Sequence, residues 1–141
     1  MDFRLWLLAI SCLLLAIIKK TTMRNFRELN IWKEGIILVK EIYKLSKRLP
    51  AEEKFGLKSQ ICRAGVSIPS NIAEGCIRNS EVEFKRFLEI AIGSSFELET
   101  QLIIISELQY ISDDELKFII EILSKEQKMI NNLITKLKAN S

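Results

Sequence analysis

From Ser80 onward the chain holds one helical period for seven turns. Phe84, Phe87, Leu88, Ala91, Ser95, Leu98, Leu102 and Ile105 recur at spacings of three and four, with no proline among them. Ser80-Glu81-Val82-Glu83 in front of this run reads as a capping box, in which the Ser80 hydroxyl accepts from the Glu83 amide. The spacing predicts a helix over residues 80–108. A helix this long needs helical neighbours of similar length to cover its stripe. Gly93, inside it, is expected to permit close approach of a neighbouring helix.

Three further segments supply those neighbours. The first is predicted over residues 31–49, with Asn30 as its N-cap and Pro50 as its stop. Trp32, Ile36, Val39, Tyr43 and Ser46 are its expected buried stripe, and Lys33, Lys40, Lys44 and Lys47 its wet side. The second is predicted over residues 56–76, with Leu57, Ile61, Ala64, Ile68 and Ile72 inward. Pro69 interrupts it and is expected to kink it by displacing the Gly65 carbonyl, with Ser67 and Ser70 returning hydrogen bonds. Gly75 suits a left-handed C-cap. The last opens on a second capping box, Ser112-Asp113-Asp114-Glu115. It turns Leu116, Ile119, Leu123, Ile130, Leu133 and Leu137 inward.

Connections of a few residues between long helices make antiparallel neighbours. The expected fold is all-α: an up-down-up-down four-helix bundle over residues 23–141, with an extra apolar segment before it. The 141 residues are enough for one such domain, and only five Gly and two Pro leave little turn chemistry for a sheet. No histidine occurs, which excludes His-based nucleophile systems, His-liganded zinc and the Glu-x-x-His di-iron sites of bundles. Cys12, Cys62 and Cys76 are odd in number and lack Cys-x-x-Cys spacing. Cys62 and Cys76 read as small helix-face residues, and the pattern fits a reducing cytoplasm. No metal site and no cofactor are expected.

Residues 1–22 differ in character. Residues 5–18 are apolar except for Ser11 and Cys12. As a helix they would reach about 21 Å, short of the roughly 30 Å of bilayer hydrocarbon. No small-x-small cleavage pattern follows. The leading reading is an extension upstream of a start at Met23; a membrane tether through residues 1–20 and an export signal are the alternatives. The net charge of +3 also depends on this segment. Arg4, Lys19 and Lys20 against Asp2 lie within it, so the remainder carries 18 basic and 17 acidic residues, a net +1. The charge of the body alone makes no argument for nucleic acid.

Two polar constellations stand out. Gln60, Arg63, Ser67, Asn71 and Glu74 follow spacings of 3, 4, 4 and 3 along one side of the second helix, and Glu97, Thr100 and Gln101 form a polar group on the third. The favoured reading is a helix-helix or subunit seam in which Arg63 pairs with Glu97 or Glu74; a ligand or RNA site is the other. Lys40, Lys44, Lys47, Arg48, Lys54 and Lys58 gather at the end of the first helix and the following turn. Such a run is a solvated face or a phosphate-binding patch, with Tyr43 and Phe55 the only aromatic neighbours.

The motifs Phe26-Arg27-Glu28-Leu29-Asn30-Ile31-Trp32, Ser59-Gln60-Ile61-Cys62-Arg63-Ala64 and Glu97-Leu98-Glu99-Thr100-Gln101-Leu102 frame a nine-residue signature, Ser67-Ile68-Pro69-Ser70-Asn71-Ile72-Ala73-Glu74-Gly75. Together they resemble the four-helix bundle proteins encoded in intervening sequences of bacterial 23S ribosomal RNA genes. The accessory variability-determinant proteins of diversity-generating retroelements are a related branch. The resemblance covers residues 24–137. It implies a cytoplasmic bacterial protein without enzyme activity, assembled as a homopentameric ring and associated with RNA. In the retroelement branch a reverse transcriptase is the partner protein. The competing functions are a ring-forming scaffold that binds another protein without RNA, and a membrane-tethered bundle.

Overall fold

The structure, a computed structural model, describes residues 7–11 and 23–139. Four helices make up the body: α1 (Asn30–Ser46), α2 (Leu57–Cys76), α3 (Glu81–Glu107) and α4 (Asp113–Ala139). They form the expected antiparallel four-helix bundle. α2 packs on α1 and α3, and α4 closes the bundle against both α3 and α1. Leu38, Ile42, Ile61, Ile68, Ile72, Phe84, Leu88, Leu98, Leu102, Ile105, Leu116 and Leu123 fill one continuous core. Residues 7–11 are helical and exposed; the rest of the expected leader, residues 1–22, lies outside the described residues. Among the described residues, no helix is long and apolar enough to cross a membrane.

The first helix departs from its predicted phase. Its buried stripe is Ile31, Gly35, Leu38, Ile42, Leu45 and Ser46. Trp32 and Val39 are half-buried, and Ile36 and Tyr43 are exposed. The stripe is therefore rotated by about one residue. Gly35 explains the error, because the true stripe passes through a position with no side chain. A methyl group there would stand 3.2 Å from Pro69 Cβ and 3.5 Å from Glu126 Oε1, so α1 meets α2 and α4 at a bare backbone. Asn30 is also not the cap. It is the first helical residue, and Leu29 holds the extended cap position without a side-chain hydrogen bond. A short 3₁₀ turn, Phe26–Glu28, precedes it, capped by Asn25, and sets the Phe26 ring edge-on to Trp32 at 5.2 Å.

The nine-residue signature is occupied mainly with folding. α2 runs through Pro69, which is buried against Gly35. Ser70 Oγ donates to the Val66 carbonyl at 2.8 Å, and Asn71 Nδ2 to the Ser67 carbonyl at 2.8 Å. Ser67 does not return to the backbone as expected; its hydroxyl shares a 2.8 Å hydrogen bond with Ser94 of α3. Gly75 is not a left-handed cap either, since among the described residues no glycine has positive φ. It is buried inside α2, and a methyl group there would lie 2.8 Å from Phe87 Cβ and 3.0 Å from the Phe84 ring. Close approach of α3, not a turn, demands glycine at this position. Gly93 is the reverse case. A side chain there would meet nothing within 4 Å, so the expected close helix approach is absent from the described chain.

Each capping box forms one of its two reciprocal bonds to a backbone amide. Ser80 Oγ accepts from the Glu83 amide at 3.1 Å. The Glu115 carboxylate accepts from the Ser112 hydroxyl at 2.8 Å and its amide at 3.3 Å. Between them α3 ends with Gln109 in the left-handed region (φ 56°), and the Tyr110 amide bonds back to the Ile105 carbonyl at 3.1 Å.

Candidate nucleic-acid interface

The turn at residues 47–56 joins the end of α1 to the start of α2. Between them lies an open groove of about 730 Å³. Tyr43 and Lys47 line it from α1, Lys54 from the turn, and Lys58, Cys62 and Arg63 from α2. None of these four cations is in an ion pair among the described residues. Tyr43 keeps 47% of its surface exposed, and Phe55 beside the groove 87%, with the Lys54 ammonium 5.3 Å over its ring. Uncommitted cations next to exposed rings are what a single strand requires: charge for phosphate and a π-face for a base.

The six basic residues singled out in the sequence do not act as one patch. Lys47, Lys54 and Lys58 face the groove. Lys44 is bonded to Glu41 at 2.7 Å, and Arg48 reaches Glu115 at the start of α4. That contact, with the Ser112 hydrogen bonds, holds the Glu115 carboxyl below the usual carboxylate range. Lys40 is exposed on α1 and lies outside the groove lining. Tyr43, which the sequence offers both to the core stripe and to the basic patch, belongs to the groove and not to the core. Its offset from Leu38 and Ile42 was the available signal.

The polar stripe of α2 also rearranges. Arg63 pairs with neither Glu97 nor Glu74, so the intramolecular pair expected for a seam is not formed. Glu74 instead bonds Arg78 at 3.0 Å, four residues on, and Glu97 accepts from Gln101 Nε2 at 3.2 Å. Arg63 and Glu74 stand about 16 Å apart along α2, beyond the reach of a pair, and Glu97 is already bonded by Gln101. Gln60, Arg63, Ser67 and Glu97 nevertheless border one smaller space between α2 and α3. Thr100 bonds its own helix at the Phe96 carbonyl.

Cys76 is buried, and burial pushes its thiol up despite the nearby Arg24; Cys62 is half-buried on the groove wall. Among the described residues no group of three or more Cys, Asp or Glu side chains could hold a metal ion. The residue that sequence reasoning missed altogether is Glu126. It is fully buried in α4, and neither carboxylate oxygen has a hydrogen-bond partner. Burial, reinforced by Glu34, pushes its carboxyl up to about 8 against the opposing pull of Lys125.

A search of the curated proteins finds no match. Among solved structures, the chain is similar to a protein of unknown function from the S23 ribosomal protein family of Bacteroides thetaiotaomicron. The two share 26% identity and a TM-score of 0.69, over 74% of this chain and 97% of that one. The profile of the family described as 23S rRNA-intervening sequence protein matches residues 27–132, which takes in α1, α2, α3 and most of α4. The bundle, its signature and this match place the chain in the 23S rRNA-intervening sequence protein family.

Proposed function

We propose that the chain is a non-enzymatic, cytoplasmic, RNA-associated protein that works as a homo-oligomer, five-fold as the resemblance implies. The observation that carries the RNA reading is the groove at the α1–α2 end. Lys47, Lys54, Lys58 and Arg63 stand there without acidic partners beside the exposed Tyr43. A body of net charge near +1 attracts RNA only through such local concentration, and a ring would repeat the groove around its axis.

Assembly is supported by a different region. Trp32, Ile36, Val39, Val66 and Ala73 form an apolar trough along α1 and α2, and Phe96 and Ile103 are exposed on the outer side of α3. Two unlike apolar faces on one bundle suit a head-to-tail contact, the kind that closes rings. The same trough would serve a partner protein in the scaffold reading.

The test is binding of a short single-stranded RNA by fluorescence anisotropy across a salt series. Each phosphate contact contributes roughly 0.7 to the slope of log affinity against log salt. Lys47→Glu with Lys58→Glu is expected to abolish binding, leaving mass by light scattering unchanged. Lys44→Glu, off the groove, is expected to have a much smaller effect. Parental affinity in the double variant at equal salt would make the groove a solvated face and move the scaffold ahead.

A further inference from the structure

Next to the basic groove, across α2, lies a second space of about 420 Å³ lined by Gln60, Arg63, Ala64, Ser67 and Glu97. Arg63 and Ser67 border both spaces, so the two adjoin. Arg63 and Glu97 carry opposite charges over one pocket and form no ion pair. Each therefore keeps hydrogen-bonding capacity for a third group. That group must accept from a guanidinium and donate to a carboxylate.

The remaining atoms narrow it. Gln101 Nε2 donates to Glu97 Oε1 at 3.2 Å and approaches Gln60 Oε1 at 3.5 Å. This fixes the Glu97 carboxylate from one side. Oε2 receives no hydrogen bond among the described residues, and each carboxylate oxygen can accept twice. Ala64, buried at the base of the space, offers an apolar floor. We propose that this pocket selects a guanine base from a single strand whose phosphates run along Lys47, Lys54 and Lys58. The inference rests on the RNA-associated reading above.

The base edges decide the choice. Guanine sets its ring N1–H and 2-amino group side by side, two donors matched to one carboxylate, with O6 next to them as an acceptor for Arg63. Adenine and cytosine set one amino group beside a ring acceptor, which would face a carboxylate oxygen. Uracil sets one donor between two acceptors. A carboxylate flanked by an arginine therefore fits guanine and opposes the other three.

The experiment uses the full chain and uridine-rich strands that differ at one central position: guanosine, inosine, adenosine or uridine. Inosine lacks only the 2-amino group. The guanosine strand is expected to bind about tenfold more tightly than the others, as one bidentate contact discriminates. Glu97→Gln is expected to bring the guanosine and inosine strands to the same affinity. Equal affinities in the parent chain, or a guanosine preference that survives Glu97→Gln, would overturn the pocket while leaving RNA association in place. No binding of any strand at low salt would overturn both. The comparison among strands needs no variant, so a folding defect cannot mask the answer.

Discussion

The two sides of α2 bury polar groups in opposite ways. Toward α3, most buried or half-buried hydroxyls and amides find partners: Ser67 with Ser94, Asn71 with Ser67, and Ser95 with the Ile92 carbonyl at 2.7 Å, while Gln101 bonds Glu97 through Nε2 and leaves its Oε1 unpartnered. Toward α1 and α4, the Glu126 carboxyl sits against Gly35 and Pro69 with no hydrogen bond to either oxygen. Its charged neighbours, Glu34 and Lys125, are bonded to each other at 2.7 Å. Satisfied polar contacts fix the register between two helices, whereas an orphaned carboxyl costs stability unless it stays neutral. One side of the helix is therefore specified by pairing, and the other tolerates a misfit.

Removing the misfit should give the largest effect. The Glu126 carboxyl is raised from its ordinary value to about 8 in the folded chain. Its stabilising neutral form is fully retained below the unfolded value near 4.5. Stability falls as pH rises from there to about 8, then levels, because only the unfolded chain releases the proton freely across that window. The total is about 5 kcal/mol as an order of magnitude. Glu126→Met, of similar length and without charge, is expected to flatten this pH dependence. It should raise stability by several kcal/mol at pH 8 and far less at pH 4.5. Urea unfolding at both pH values checks it; parallel pH profiles for parent and variant would mean that water or a partner reaches the carboxyl.

The α2–α3 side is sharpened by overfilling it. At Gly75 a methyl group would lie 2.8 Å from Phe87 Cβ, and that contact belongs to the start of a side chain that cannot swing away. Gly75→Ala should gain up to about 1 kcal/mol of helix propensity. Against this, overpacking costs about 1–3 kcal/mol. The expected net is a loss of about 1–2 kcal/mol, seen as a lower urea midpoint at unchanged slope. A gain would show that α3 can slide away and that this contact is less rigid than its pairing suggests.

The bundle, its four helices and the two capping segments were legible because periodicity and capping chemistry are local. What failed was the part that depends on how helices meet. Gly35 and Gly75 sit in the closest contacts, yet a glycine adds nothing to an apolar period, so the phase of α1 shifted and Gly75 was assigned to a turn. Glu126 lies in the core position between Leu123 and Ile130, where a charged residue reads as surface. In the candidate site, Lys47, Lys54 and Lys58 were found from charge clustering alone. Their separation from Lys44 and Arg48 required knowing that Glu41 and Glu115 lie within reach. Arg63 was placed on the correct stripe but given the wrong partner, since spacing fixes a face and not the reach of a long side chain.

Gly93 carries the smallest expected effect because it belongs to neither side. It is exposed in mid-α3, and a side chain there would touch nothing within 4 Å. In an isolated bundle Gly93→Ala should therefore stabilise by about 0.5–1 kcal/mol, through reduced freedom of the unfolded chain and better helix propensity. For a chain this size that is a rise of a few degrees in Tm. Ile90, Phe96 and Ile104 are exposed on the same helix, so this surface has apolar area to offer a second copy. If copies pack there, the added methyl group stands in the contact, and the gain should turn into a loss that grows with protein concentration. Melting the variant and the parent over a hundredfold concentration range, with mass by light scattering, separates the cases. A concentration-independent rise in Tm at unchanged mass would leave Gly93 facing solvent and remove this face of α3 from the head-to-tail contact.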